Sequence, residues 1–71
     1  MRLVDMQKGE TRIIDEIHDD ELTLKLLEMG CIPGQSITYN FKAPFGDPIC
    51  VSVSGYELSL RISEASSISV I

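Results

Sequence analysis

Cations are scarce in this sequence. Six Lys and Arg stand against eleven Asp and Glu, for a formal net charge of -5. The six, Arg2, Lys8, Arg12, Lys25, Lys42 and Arg61, are scattered and form no basic run. Nucleic-acid-binding proteins draw much of their affinity from a basic patch that neutralises phosphates. That footprint is missing, so no nucleic-acid partner is expected. Electrostatic docking on an anionic membrane is disfavoured for the same reason. Long apolar runs are also missing: no segment approaches the roughly 20 residues of a membrane span. Residues 1–10 carry Asp5, Lys8 and Glu10 and hold no apolar signal core. The expectation is a cytoplasmic protein with no direct membrane insertion.

Cysteine and histidine are rare too. Cys31 and Cys50 fit no C-x-x-C pattern, and in a reducing compartment they read as free thiols. With the single histidine, His18, they fall short of the ligands of a closed zinc site. There is no Gly-x-Ser-x-Gly context and no Gly-Lys-Ser/Thr phosphate loop. Neither a hydrolase nucleophile nor a nucleotide cradle is therefore in view. The reading is no enzyme, no catalytic residue, no cofactor and no metal-ligand set.

What is present suits a small folded domain. Hydrophobic residues make up 44% and charged residues 24% of the 71, an ordinary globular balance. The length fits one domain, read here as residues 1–71, with one thin core. Gly and Pro cut the chain into short pieces, most of which alternate with the strand period. In Ser36 to Lys42, the side chains of Ile37, Tyr39 and Phe41 share one face. A turn follows, Ala43-Pro44-Phe45-Gly46-Asp47-Pro48, and then Ile49, Val51 and Val53 alternate with Cys50, Ser52 and Ser54. Gly55-Tyr56 reads as a two-residue hairpin loop. Leu58 and Leu60 alternate after it, and Ile68 and Val70 do so after the polar stretch Ser63 to Ser66. Thr11 to Ile17 reads as a further strand. Ile13, Ile14 and Ile17 break parity, which calls for a bulge or for burial on both faces.

One helix is marked, about Glu21 to Met29. Asp20 can cap it and the acidic residues suit its N-terminus. Glu21 and Lys25 are spaced as an i,i+4 pair, and Gly30 suits the left-handed position after the stop. The helix carries two apolar stripes: Leu22, Leu26 and Met29 fall together, with Leu24 and Leu27 nearly opposite. Either the barrel and Cys31-Ile32 cover both stripes, or one stripe faces a partner protein. Phe45 sits between two prolines, either packed down or standing out as an aromatic anchor. The acidic run Asp15, Glu16, His18, Asp19, Asp20, Glu21 offers ligand types that suit divalent iron. Adjacent strand residues point to opposite faces, however, so the run reads as a solvated loop with a helix cap.

Five segments together carry a family resemblance. They are Leu3-Val4-Asp5-Met6 with Lys8-Gly9-Glu10, then Leu26-Leu27-Glu28-Met29-Gly30-Cys31-Ile32-Pro33-Gly34, then Ala43-Pro44-Phe45-Gly46-Asp47-Pro48-Ile49. Gly55-Tyr56-Glu57-Leu58-Ser59-Leu60-Arg61 and Glu64-Ala65 with Ile68-Ser69-Val70 complete the set. In order and spacing the chain resembles the FeoA family of bacterial ferrous iron uptake. Cys31 departs from it, since the family usually has an aliphatic residue there. The resemblance implies a mainly β fold, a small SH3-like barrel of about five strands with one inserted helix, in line with the alternation above. It also implies a non-enzymatic accessory role beside FeoB, a membrane ferrous iron transporter with a cytosolic GTPase domain. The residues expected to dock on that partner are Leu24 and Leu27, with Phe45 second. A rival reading is a metal-binding or metal-sensing barrel like the C-terminal domain of diphtheria-toxin-repressor-like regulators, centred on His18 and its acidic neighbours. An edge strand and the apolar stripe would also support weak homo-oligomers.

Overall fold

Alternating apolar residues need a sheet with one buried face, and the strands supply it. The computed structural model describes the whole chain, Met1–Ile71. A 3-10 turn, Leu3–Asp5, leads into β1 (Thr11–Ile17), α1 (Asp20–Glu28), β2 (Ser36–Lys42) and β3 (Ile49–Val53). Then come β4 (Tyr56–Leu60), the short helix α2 (Ile62–Ala65) and β5 (Ile68–Val70). The strands form one antiparallel sheet in the order β4-β3-β2-β1-β5. All the buried residues are apolar, and no buried side-chain polar atom lacks a partner.

β1 is shared by two partners. Thr11 to Ile13 pair with β2, and Ile14 to Ile17 pair with β5. Ile14 faces Val70 and Glu16 faces Ser69, so Asp15 is the extra residue of a bulge. The bulge resolves the broken parity, since one added residue brings Ile14 and Ile17 to the same side. Ile14 is buried and Ile17 packs against the core, whereas Ile13 is partly exposed.

A second bulge corrects the reading of β2. Tyr39 faces Val51 but Phe41 faces Cys50, leaving Asn40 as the extra residue. Asn40 Nδ2 donates to Ser52 Oγ at 2.7 Å, a bond made from the bulge itself. Phe41 is thereby turned away from Ile37 and Tyr39 and is 49% exposed, so it is no core residue. The next hairpin also differs from expectation by one position. Val53 pairs with Tyr56, making Ser54-Gly55 the loop. Both have positive φ, 52° and 84°, the requirement of the type I′ turn that matches strand twist. This register sets Ile49 against Leu60 and Val51 against Leu58.

The helix is one residue earlier at each end than the spacing predicts. Asp19, not Asp20, is the cap: its Oδ1 accepts from Leu22 N at 3.1 Å. At the other end Gly30 N donates to Leu27 O and Cys31 N to Leu26 O, at 3.0 and 2.9 Å. This is the Schellman pattern, and Gly30 supplies its positive φ of 76°. Cys31 follows directly and is buried with Leu26 in the same cluster, as the pattern favours. Lys25 does not pair with Glu21; its Nζ lies 3.4 Å from Glu64 Oε2 in α2. The 3-10 turn and α2 had no signal in the alternation. Leu3, Met6 and Ala65 bring both segments into the core.

The two leucine stripes part here. Leu22 and Leu26 are buried, while Leu24 and Leu27 are exposed. Leu26→Ala should cost about 2–5 kcal/mol, as large-to-small core changes do. Leu24→Ala should stay within roughly 0.5 kcal/mol. Urea midpoints for the two variants check the contrast.

Candidate functional site

Chemistry on this molecule has few places to gather. The acidic run is dispersed by its backbone. Asp19 spends its carboxylate on the helix cap, and Asp15 sits in the β1 bulge. His18 Nε2 lies 2.8 Å from Ser69 Oγ, and its Nδ1 is 3.6 Å from Glu16 Oε2. No three His, Cys, Asp or Glu side chains are grouped so as to hold a metal ion. Both cysteines are free. Burial pushes the Cys31 thiol up from its ordinary range, as apolar surroundings do for a buried cysteine. Cys50 is half-buried, with its Sγ 3.6 Å from Ser59 Oγ.

The two concavities are shallow in character. One, about 210 Å³, is lined by Asn40, Phe41, Cys50, Glu57, Leu58 and Ser59. It lies below the usual range of about 300–1,000 Å³ for ligand pockets. The other, about 350 Å³, is open to solvent and is bordered by Asp47, Pro48 and Arg61 alone.

The exposed apolar side chains are more informative. On α1, Leu24 is 65% and Leu27 55% exposed. They stand three residues apart on the face opposite Leu22 and Leu26. Phe45, in the loop between β2 and β3, is 99% exposed. It does not pack down on the sheet. Met29, grouped with Leu22 and Leu26 by periodicity, is 38% exposed because the helix has already ended at Glu28.

α2 links the elements that carry these side chains. Its first backbone N–H, on Ile62, donates to Asp47 Oδ1 at 3.2 Å, which ties down the β2–β3 loop. Its Glu64 receives Lys25 of α1. Glu64 Oε1 also accepts from the Arg61 backbone N–H at 2.9 Å. That bond, helped by the charge of Lys25, holds the Glu64 carboxyl below its ordinary value. Glu10 is lowered in the same way by the Gln7 backbone N–H and by Arg12. Sequence reasoning missed α2 as a tie. The available signal was Glu64 three residues after Arg61, the reach-back spacing of a capping box.

Both lowered carboxyls bind protons more readily in the unfolded chain. Stability should thus rise with pH where they titrate. Their contribution is present above the unfolded value, near 4.5, and is lost as pH falls through the lower folded values. Glu64→Gln should flatten this acid limb in part, leaving the share of Glu10. Thermal melts between about pH 2 and 7 check it.

Comparisons with known proteins match this architecture along its whole length. The model of the FeoA domain family matches residues 1–71. A Porphyromonas gingivalis protein, described as a fusion of Fe(2+) transport protein A with the Fe(2+) transporter FeoB, is 34% identical over 71 residues. The match covers 99% of this chain but only 8% of that much longer protein. The solution structure of the FeoA protein from Chlorobium tepidum superposes with a TM-score of 0.93 at 28% identity, covering 99% of this chain and 68% of that one. The zinc-complexed FeoA of Stenotrophomonas maltophilia, described as an SH3 domain protein, gives 0.86 at 28% identity over 100% and 89%. The expected SH3-like architecture with one helix thus stands. A manganese-dependent transcriptional repressor shares the fold at 18% identity, with a TM-score of 0.87 over 100% of this chain and 40% of that one.

Proposed function

The chain belongs to the FeoA domain family, and on that premise we propose that it is a non-enzymatic accessory protein of bacterial ferrous iron uptake. It acts by docking on the cytosolic portion of a FeoB-type transporter. The family takes part in ferrous iron transport. The observation that carries the docking is the Porphyromonas gingivalis relative, in which a homologous segment and the transporter are one polypeptide. Fusion holds two modules at high effective concentration, an arrangement that serves partners which meet. Residues 1–71 act as a single module in this reading, in the cytoplasm.

The residues assigned to docking are Leu24 and Leu27, with Phe45 second. Their exposure supports the assignment. Two leucines on one helix turn are left in water while Leu22 and Leu26 fill the core. A lone exposed leucine means little, but paired apolar side chains on one helix turn, and an exposed aromatic, are residue types that interface centres use.

The test is an amide NMR titration of labelled protein with the transporter's cytosolic portion. Shifts should cluster at Leu24, Leu27 and the Phe45 loop. Leu24→Asp should weaken binding at least about tenfold, equivalent to about 1.4 kcal/mol, with an unchanged fold by circular dichroism. Wild-type affinity in that variant, or its unfolding, would remove these residues from the model. The metal-binding reading draws on the zinc-bound relative. It would centre on His18 here and predicts a rise of Tm with added metal, as mass action requires.

A further inference from the structure

The exposed face of α1 carries more than leucines. Asp20, Leu24 and Glu28 follow one another at four-residue spacing and line up along the helix. Glu21 lies on the same face two turns before Glu28, and all three acids are exposed. The helix has one cation, Lys25, and Glu64 of α2 holds it at 3.4 Å. Leu24 and Leu27 therefore sit among three exposed carboxylates, and the single cation of the helix, Lys25, is engaged by Glu64 of α2.

That arrangement selects among occupants. A second copy docking face to face would press two sets of these carboxylates together, on chains of net charge -5 each. Like charges so juxtaposed cost several kcal/mol. Anionic lipid and nucleic acid are repelled for the same reason. We infer that the α1 face recognises a cationic amphipathic protein segment, one that presents aliphatic side chains between lysines or arginines. The leucines give the contact its apolar centre. The carboxylate border speeds encounter and fixes orientation. This rests on the docking reading for the choice of face and adds the chemistry of the partner.

The experiment uses two synthetic amphipathic helical peptides that share one leucine stripe. One is bordered by lysines, the other by glutamates. Each is titrated into labelled full-length protein at low ionic strength and at about 0.5 M salt, where the Debye length shrinks well below 10 Å. The lysine peptide should shift the amides of Leu24, Leu27 and Glu28. Its affinity should fall at least about tenfold in high salt. The glutamate peptide should leave those amides unmoved. The exposed double change Asp20→Asn with Glu28→Lys should weaken the lysine peptide by about tenfold while the fold stays intact. Equal binding of the two peptides would overturn the inference, as would lysine-peptide shifts away from α1 or no shifts at all. The transporter titration separates the two readings. Docking at Leu24 that ignores salt and the double change keeps the docking reading and overturns this one. A lysine peptide seated on α1 beside a silent transporter supports this one and removes the proposed partner.

Discussion

The double pairing of β1 is the constraint on which the rest depends. One strand must pair with β2 through its first half and with β5 through its second. Ile13 makes the crossover: its N–H donates to Ile71 O at 3.1 Å, and its carbonyl accepts from Ile71 N at 2.9 Å. Just beyond, Ile14 N donates to Gln35 O at 2.9 Å and Ile14 O accepts from Gly34 N at 2.8 Å. The segment that follows α1 is therefore fastened back onto β1. Without the bulge at Asp15, Ile17 would turn outward and Ile68 of β5 would lose its apolar partner. A chain this short buries a limited share of its surface, so no second core could offset that loss.

The small core also explains how the surface is spent. α1 gives Leu22 and Leu26 to the interior, and Cys31 follows through the Schellman turn. The 3-10 turn adds Leu3. That fills the open side of the sheet and leaves no room for the second stripe of α1. Leu24 and Leu27 are exposed because the opposite stripe, Leu22 and Leu26, is the one turned to the core. The same economy leaves two concavities of about 210 and 350 Å³, both bordering on solvent. What the molecule offers to others is convex, a helix face and a loop tip. Two hydrogen bonds, one donated by the Ile62 N–H of α2 to Asp47 and one donated by Lys25 to Glu64 of α2, couple the loop and the helix to one short element.

Much of the architecture was legible from residues alone. Strict alternation in β3 and at Ile37 and Tyr39 marked strands that the structure contains. Gly30 and the acids before Leu22 marked α1 to within one residue. The broken parity of Ile13, Ile14 and Ile17 announced a bulge, because alternation cannot otherwise bury both Ile14 and Ile17. Phe41 shows where the pattern misleads. Its parity places it with Ile37 and Tyr39, but the extra residue at Asn40 reverses it. A bulge held by a side-chain bond to Ser52 on another strand leaves no local trace. The one-residue difference in the hairpin has a similar origin. Gly55 fits either loop position, and pairing of Ile49 with Leu60 decides.

By itself, the sequence determined the strand set, the single long helix, the family resemblance and an acidic surface without a basic patch. These follow from period, turn chemistry and charge, which are properties of neighbouring residues. Only the tertiary structure decided which leucine stripe faces water and that Phe45 stands clear. It also decided that Lys25 turns to Glu64 instead of Glu21, so that the α1 face keeps its carboxylates unpaired. Those outcomes depend on contacts between segments far apart in the chain. Periodicity places side chains around an axis but cannot say which side the rest of the molecule will cover.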